Sequence, residues 1–512
     1  MNAARVTTIE IAQGRLSGLT ANGIACFKGI PYAAPPVGAM RWQMPGPAPH
    51  WAGTRAASAP GFVCPQAPTQ MEALLGNTLG EQSEDCLYLN VWTPSCDNAK
   101  RPVMVWLHGG AFVIGAGSQG LYNGEHLAAT DCVIVTLNYR LGAFGFLNLS
   151  DATDGALPGT GSEGLADQIA ALHWVKQNIA QFGGDADNIT IFGESAGAMS
   201  VSALMAAPPA KGLFHKAIAQ SGAAHIGYTR EHSARVAHAF LGFMGLSKAD
   251  AHKIAEADYG ALIKAQITLL ADCRDGHDPQ KLGRMPLQPT IDGAILPVQP
   301  ITAIREGSAK DIPLLTGTNL EEWKLFTAMN PAMRFSSSKK FIARMQRMAG
   351  PENAEEMLRV YSEGSVFERI NQVMTDKMFV IPATRMMEAQ SAHASVHAYR
   401  CDWKAKLLGG IMGACHAVEL GFVFGTFRER LAGRFFGKGP DAVALSAAMI
   451  ESWTNFAKTG NPEGEATGAW PTYDTAARQT MIFGDGEPHL TSDPNAARRR
   501  AWDALPEKKL GP

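Results

Sequence analysis

Asn188-Ile-Thr-Ile-Phe192 runs directly into Gly193-Glu-Ser195-Ala-Gly197, and the fold is decided at that junction. The first five residues form a short apolar run with β-branched members, which reads as a buried strand. A helical stretch begins at once with Ala196, extends to Ala207 and stops before Pro208-Pro209. A serine between two glycines at a strand-to-helix corner sits in a strained turn, with its hydroxyl held out at the end of the sheet. The helix that follows points its N-terminus at that hydroxyl and favours negative charge there. G-x-S-x-G as a bare pattern is weak. Its strand–helix setting gives it weight and marks Ser195 as a candidate nucleophile.

The same alternation extends outward from the junction. Val103-Met-Val-Trp-Leu107 and Cys132-Val-Ile-Val-Thr-Leu137 read as buried parallel strands. From Gly164 to Phe182 apolar residues recur at helical spacing, and Gly183-Gly184 supplies the stop. Lys216–Ala219 and Ile312–Thr316 are further strand candidates, and Met1–Gly18 reads as a first strand. Strands alternating with helices predict a doubly wound α/β fold: a mostly parallel, twisted central sheet flanked by helices. From about Glu321 to Gly410 the pattern turns helical and Met-rich, with one strand candidate at Ser395–Cys401. We expect residues 1–512 to form one catalytic domain, with 321–410 as a helical insertion over the active-site end.

Composition narrows the function. The 512 residues carry a formal net charge of −2, which lacks the basic excess of a nucleic-acid binder. No apolar run reaches the ~18 residues of a membrane span. Met1–Gly18 lacks the charged start, apolar core and cleavage site of a signal peptide, so a cytoplasmic location is expected. The eight cysteines include no C-x-x-C pair, which argues against a zinc ribbon or a thioredoxin-like site. Nothing resembles H-E-x-x-H, a dinucleotide fingerprint or a P-loop, and no metal or organic cofactor is expected.

A serine nucleophile needs a base to take its proton and donors to hold the oxyanion. Leu107-His108-Gly109-Gly110-Ala111-Phe112 follows a strand as an oxyanion loop does. The candidate donors are the backbone N–H groups of Gly110, Ala111 and Ala196. His108 is a possible base, but its place in that loop favours a structural role. Chain order in such folds is Ser, acid, His. After the strand candidate at Ile312–Thr316, Glu321 and Glu322 compete for the acid's place. Gly409-Gly-Ile-Met-Gly-Ala-Cys-His416 is a Gly-rich loop leading to a histidine, although His393, His397 and His489 also lie late in the chain.

The blocks Phe27–Ala33, Ser83–Val91, Asn138–Phe146, Gly164–Gln168, Phe182–Asp185, Phe192–Gly197, Gln220–Gly222, Gly317–Phe326 and His416–Phe424 resemble one family in order and spacing. It is the type-B carboxylesterases, the α/β-hydrolase group that includes cholinesterases and bacterial para-nitrobenzyl esterases. The resemblance implies Glu322 as the acid, Glu321 as its neighbour or support, and His416 as the base. It also implies that Glu194, Ser221 and Glu419 form a buried polar network behind His416, which we expect to be fully hydrogen-bonded. The implied activity is serine-dependent hydrolysis of small to medium apolar esters, with a small-molecule ester as partner, no nucleic acid or membrane, and the oligomeric state left open.

Departures from the family inform the substrate. Ala111 stands where cholinesterases have a third glycine. The Cys64–Cys86 segment has no tryptophan, so a cation–π site for choline esters is not expected. Cys64 and Cys86 match a bridged pair of secreted relatives, and in a reducing compartment they would be thiols. Met71, Leu74, Leu75, Phe112, Leu407, Leu408, Ile411 and Met412 are apolar candidates for pocket walls or for plain packing. Two alternatives stay open on sequence: amide or carbamate cleavage by the same triad, and a non-catalytic interaction domain.

Overall fold

The computed structural model describes residues 5–68, 79–273, 278, 280–328, 337–428 and 432–511. Its strands are β1 (Arg5–Ile11), β2 (Gly14–Ala21), β3 (Ile24–Pro31), β4 (Thr54–Ala56), β5 (Tyr88–Thr93), β6 (Arg101–Leu107), β7 (Val133–Leu137), β8 (Gly184–Glu194), β9 (Lys216–Gln220), β10 (Tyr228–Thr229), β11 (Thr290–Ile291), β12 (Leu314–Asn319), β13 (Val396–Cys401), β14 (Gln479–Phe483) and β15 (His489–Ser492). All but β10 and β11 join one sheet in the order β1-β2-β3-β5-β7-β6-β8-β9-β12-β13-β14-β15, with β4 on β2. From β7 to β14 every pairing is parallel; antiparallel pairings lie at the two margins.

The parallel centre is buried on both faces, which is why its strands are apolar without alternation. In β6, Val103, Val105 and Leu107 join one apolar cluster, while Met104 and Trp106 join the other. Helices α1 (Glu163–Asn178) and α2 (Ala196–Ala206) cover the first face. Further on come α3 (Ser338–Ala349), α4 (Ala354–Val360), α5 (Val366–Thr375) and α6 (Ile381–Gln390). The long α7 (Pro440–Thr459) covers the second face through Leu445, Met449, Trp453 and Phe456, and α8 (Ala496–Asp503) lies near the C-terminus.

Within 321–410 the chain does three different things. Helices α3, α4, α5 and α8 share a third apolar cluster that contains Trp323 and Phe379. Asp376–Val380 forms a π-helical turn between α5 and α6. Helix α6 then packs on the first face of the sheet, and β13 enters the sheet between β12 and β14.

Two sequence readings change in detail. Met1–Gly18 is not one strand: its described part, from Arg5, folds as β1, a turn at Ala12-Gln13 and the start of β2. The strand expected at Ile312–Thr316 starts later, at Leu314, and runs to Asn319. Pro313 has no N–H for the ladder, which explains the later start. All eight cysteines are free, Cys64 and Cys86 included, although those two thiols lie within hydrogen-bond reach of each other.

Candidate active site

Strand β8 ends at Glu194 and α2 starts at Ala196, which leaves Ser195 alone at the corner. Its backbone has φ 57 and ψ −124, a strained conformation for a residue with a side chain. The Ser195 N–H donates to the Gln220 carbonyl at 2.9 Å, which ties the corner to β9. The flanking glycines are required by contact: a Cβ on Gly197 would lie 2.0 Å from the Leu107 carbonyl oxygen, and one on Gly193 would lie 2.5 Å from the Gly197 backbone. Strand, helix and oxyanion loop therefore close up around the serine only because both positions are glycine.

The loop after β6 turns through three successive positive φ values, 113 at Gly110, 55 at Ala111 and 62 at Phe112. Such a turn points consecutive N–H groups into one concavity. Among the described residues, the N–H groups of Gly110, Ala111 and Ala196 have no backbone acceptor. Gly109 lies against the corner: a Cβ there would come within 3.1 Å of Ser195 Cβ. The loop that carries Gly110 and Ala111 therefore abuts the serine corner at Gly109. His108 is buried, stacks on Tyr139 at 4.5 Å and keeps Nδ1 2.8 Å from the Gly109 carbonyl oxygen. Burial pulls its imidazole down to about 4, so it stays neutral and supports the loop.

Beyond β12, the adjacent glutamates diverge. Glu322 is fully buried; Oε2 lies 2.6 Å from His416 Nδ1, and Oε1 accepts the Asn319 N–H at 2.7 Å. Glu321 is partly exposed, pairs with Lys324 and accepts the Ala414 N–H at 2.9 Å. It holds the loop that carries His416, a supporting contact outside the triad. His416 itself is buried, with Phe379 at 4.8 Å and Phe326 at 5.2 Å, two rings that also stack on each other at 6.2 Å.

His416 Nε2 lies 3.1 Å from Glu194 Oε1, yet the angles do not make a hydrogen bond, and among the described residues neither atom has a partner. Burial pushes the Glu194 carboxyl up to about 8. Burial alone would lower His416, but the charges of Glu194, Glu322 and Glu419 and the Glu322 hydrogen bond outweigh it and raise the imidazole to about 9. The charge of each group favours the ionised form of the other.

Behind His416, direct protein contacts hold part of a buried polar network. Glu419 accepts from Asn319 Nδ2 at 2.7 Å and from Gln220 Nε2 at 3.3 Å; Gln220 Oε1 in turn accepts from Trp453 Nε1 at 2.9 Å. Ser221 Oγ, Glu194 Oε1 and Asn319 Oδ1 have no partner among the described residues. The Glu419 contacts join strands β9 and β12 to the segment that carries that residue.

Sequence reasoning did not single out Phe326, Phe379, Asn319 or Gln220. Phe326, Asn319 and Gln220 lay inside family-like blocks and could have been found there. Phe379 gave no signal, because a π turn aims it. Among the apolar candidates, Phe112 is buried against Phe146 at 5.0 Å and Met412 is buried in the second cluster, so both are packing residues. Leu407 is half-buried against the same cluster, and Ile411 is 49% exposed. Met71, Leu74 and Leu75, and the side chain of Leu408, lie outside the described residues.

Comparison with known proteins agrees with this geometry. A family model described as the carboxylesterase family matches residues 5–502. A para-nitrobenzyl esterase of Bacillus subtilis is 42% identical over 490 residues, covering 95% of this chain and 96% of that protein. A phenmedipham hydrolase of Pseudarthrobacter oxydans is 33% identical over 492 residues, covering 94% and 95%. A solved thermophilic PNB esterase superposes with a TM-score of 0.86 at 39% identity, covering 97% of this chain and 99% of its own. The carboxylesterase EST55 of Geobacillus stearothermophilus gives 0.86 at 37% identity, covering 97% and 100%.

Proposed function

The chain belongs to the carboxylesterase family, has the α/β-hydrolase fold and is a carboxylic ester hydrolase, and we propose that Ser195, His416 and Glu322 carry its reaction through an acyl-enzyme. His416 Nε2 takes the Ser195 hydroxyl proton as Oγ attacks the ester carbonyl. The oxyanion rests on the N–H groups of Gly110, Ala111 and Ala196. The tetrahedral centre expels the alkoxide, which leaves as alcohol with the proton from His416. Water then attacks the acyl-enzyme and gives its proton to His416, which returns it to Ser195 Oγ as the carboxylic acid leaves. Glu322 fixes the imidazole and stabilises its charged form. Catalytic hydrogen bonds to the nucleophile commonly tighten only with substrate bound.

The observation that carries this reading is the 2.6 Å contact between buried His416 Nδ1 and buried Glu322, beside the strained Ser195 corner. Small to medium apolar esters are the substrates we infer, and the aromatic rings on His416 favour them. The eight free cysteines fit a cytoplasmic setting. Among the described residues no helix is long and apolar enough to cross a membrane. Replacing Ser195 with Ala should lower turnover of short p-nitrophenyl esters by ~10⁴–10⁶-fold with the fold intact. Turnover that survives the change rejects the mechanism. Matched esters and anilides, assayed side by side, separate ester from amide chemistry.

A further inference from the structure

The loop after β6 is strained, and a side chain from another segment fastens it. Ala111 and Phe112 both carry side chains, yet their φ values are 55 and 62. Such residues persist only where their surroundings hold them in place. The Gly110 carbonyl accepts the Val113 N–H at 3.0 Å and the Ile114 N–H at 3.1 Å, so the chain turns back on itself. Gly115 then lies against the start of the loop. A Cβ on it would come 2.4 Å from His108 Nδ1 and 2.6 Å from the Gly109 carbonyl oxygen. A shift of Gly115 is thereby passed to His108 and Gly109, which lead directly into Gly110 and Ala111.

Phe112 and Gly117 are tied to the segment after β7. The Phe112 carbonyl accepts the Gly142 N–H at 2.6 Å, and the Gly117 N–H donates to Asn138 Oδ1 at 2.8 Å. Gly115, between them, is held by Gln66, which is 2% exposed. Gln66 Oε1 accepts the Gly115 N–H at 2.7 Å, and Nε2 donates to the Gly115 carbonyl at 2.9 Å. One side-chain amide thus pairs with one residue's N–H and C=O, as the backbone of a neighbouring strand does. Among the described residues no backbone group takes either Gly115 atom. Gln66 is itself fixed. Its Nε2 also donates to the Cys64 carbonyl at 3.0 Å, and its own N–H donates to Gln82 Oε1 at 3.0 Å. Val63 bridges Gln82, and the Ser83 N–H donates to the Val63 carbonyl at 3.0 Å.

We propose, on the Ser195 reading above, that Gln66 is a positioning residue for the oxyanion hole. Its amide holds Gly115, and through Gly115 it holds the turn that presents the Gly110 and Ala111 N–H groups. Without the amide, a buried N–H and a buried carbonyl lose their partners, and the loop shifts to relieve them. A shifted loop misplaces the donors relative to the charge that develops in the transition state. Substrate binding in the ground state is little affected.

The test uses the full-length enzyme with Gln66→Met and Gln66→Glu. Methionine fills similar space with neither hydrogen bond. A protonated glutamic acid side chain keeps both, with one oxygen accepting and the hydroxyl donating; once ionised it cannot donate and sets charge against the Gly115 carbonyl. For p-nitrophenyl butyrate we expect kcat and kcat/KM to fall together by ~10–100-fold in Gln66→Met, with KM little changed, per site counted by stoichiometric organophosphate labelling. Affinity for an alkyl trifluoromethyl ketone, whose adduct with Ser195 places an oxyanion in the hole, should fall by the same factor. The Gln66→Glu rate, divided by the wild-type rate at each pH, should start near one at about pH 5 and decline as the introduced carboxyl ionises. The Gln66→Met ratio should stay flat. Circular dichroism at each pH checks that both variants are folded. A Gln66→Met rate per labelled site equal to wild type, or a loss in KM alone, overturns the proposal. So does a Gln66→Glu ratio indifferent to pH, and this arm carries the test by itself if Gln66→Met does not fold. Turnover surviving in Ser195→Ala sinks the Ser195 reading; an inert Ser195→Ala with indifferent Gln66 variants sinks only the role of Gln66.

Discussion

At the scale of single residues, the two neighbouring glutamates make opposite contacts, and this separates their mutants. Glu322→Gln removes the carboxylate that stabilises the imidazolium, and kcat/KM should fall by ~10²–10⁴-fold. Glu321→Gln loses one ion pair at a loop and should cost less than about tenfold. Steady-state kinetics on both, side by side, checks the assignment; a reversed order moves the acid to Glu321. His416 must be neutral to accept a proton, and its raised pKa places the acid limb of the kcat/KM profile well above pH 6.5. Glu194→Gln withdraws a negative charge that favours the imidazolium, so that limb should move to lower pH, by about one unit. A limb that stays in place would show that Glu194 does not act on His416. The serine corner and its glycine-rich loop were legible from glycine spacing, whereas the preference for Glu322 over Glu321 and for His416 over the other late histidines came from the family resemblance. The contacts of Asn319 and Gln220 with Glu419 were not legible, because hydrogen-bond closure depends on distances across strands that no local pattern records.

Among elements, the π turn at Asp376–Val380 shows most clearly what pattern reading misses. Periodicity announces a helix, but one extra residue per turn leaves no signature in hydrophobic spacing, and here that residue re-aims Phe379 onto His416. The turn is anchored at its first residue. Buried Asp376 accepts from Tyr361 Oη at 2.5 Å, Trp502 Nε1 of α8 donates to the same Tyr361 oxygen at 2.7 Å, and Arg498 lies 3.3 Å from the carboxylate. Tyr361→Phe takes away both contacts and leaves a buried indole donor without an acceptor. We expect a loss of about 1–3 kcal/mol, read from the urea unfolding midpoint. Elements of the parallel sheet were easier to place, since strands buried on both faces read as apolar runs. Their ends were less certain: the helix expected from Gly164 to Phe182 finishes as α1 at Asn178 and continues only as a 3₁₀ turn to Phe182.

For the whole molecule, the pair Glu194 and His416 makes stability depend on pH. Both have folded-state pKa values above their ordinary ones, Glu194 from 4.5 to about 8 and His416 from 6.5 to about 9. A group raised on folding stabilises most when it is protonated in both states, and that contribution is lost as pH climbs to the folded value. The glutamate's share is therefore lost between pH 4.5 and 8, and the histidine's between 6.5 and 9. Thermal midpoints should fall from pH 6 to 9, and Glu194→Gln should flatten the fall, as followed by circular dichroism. A steeper decline in that variant would reverse the sign of the coupling.

The strand order also has a consequence for synthesis on the ribosome. From β8 onward the sheet grows at one edge in the order in which its strands emerge: β8, β9, β12, β13, β14, β15. On the proposed triad, the nucleophile precedes β9, whereas the acid follows β12 and the base follows β13. A nascent chain would then carry a shaped but unarmed serine for about two hundred residues of translation. Onset of turnover, expected only after His416 has joined the growing edge, would mark the point at which about a fifth of the chain remains to be made.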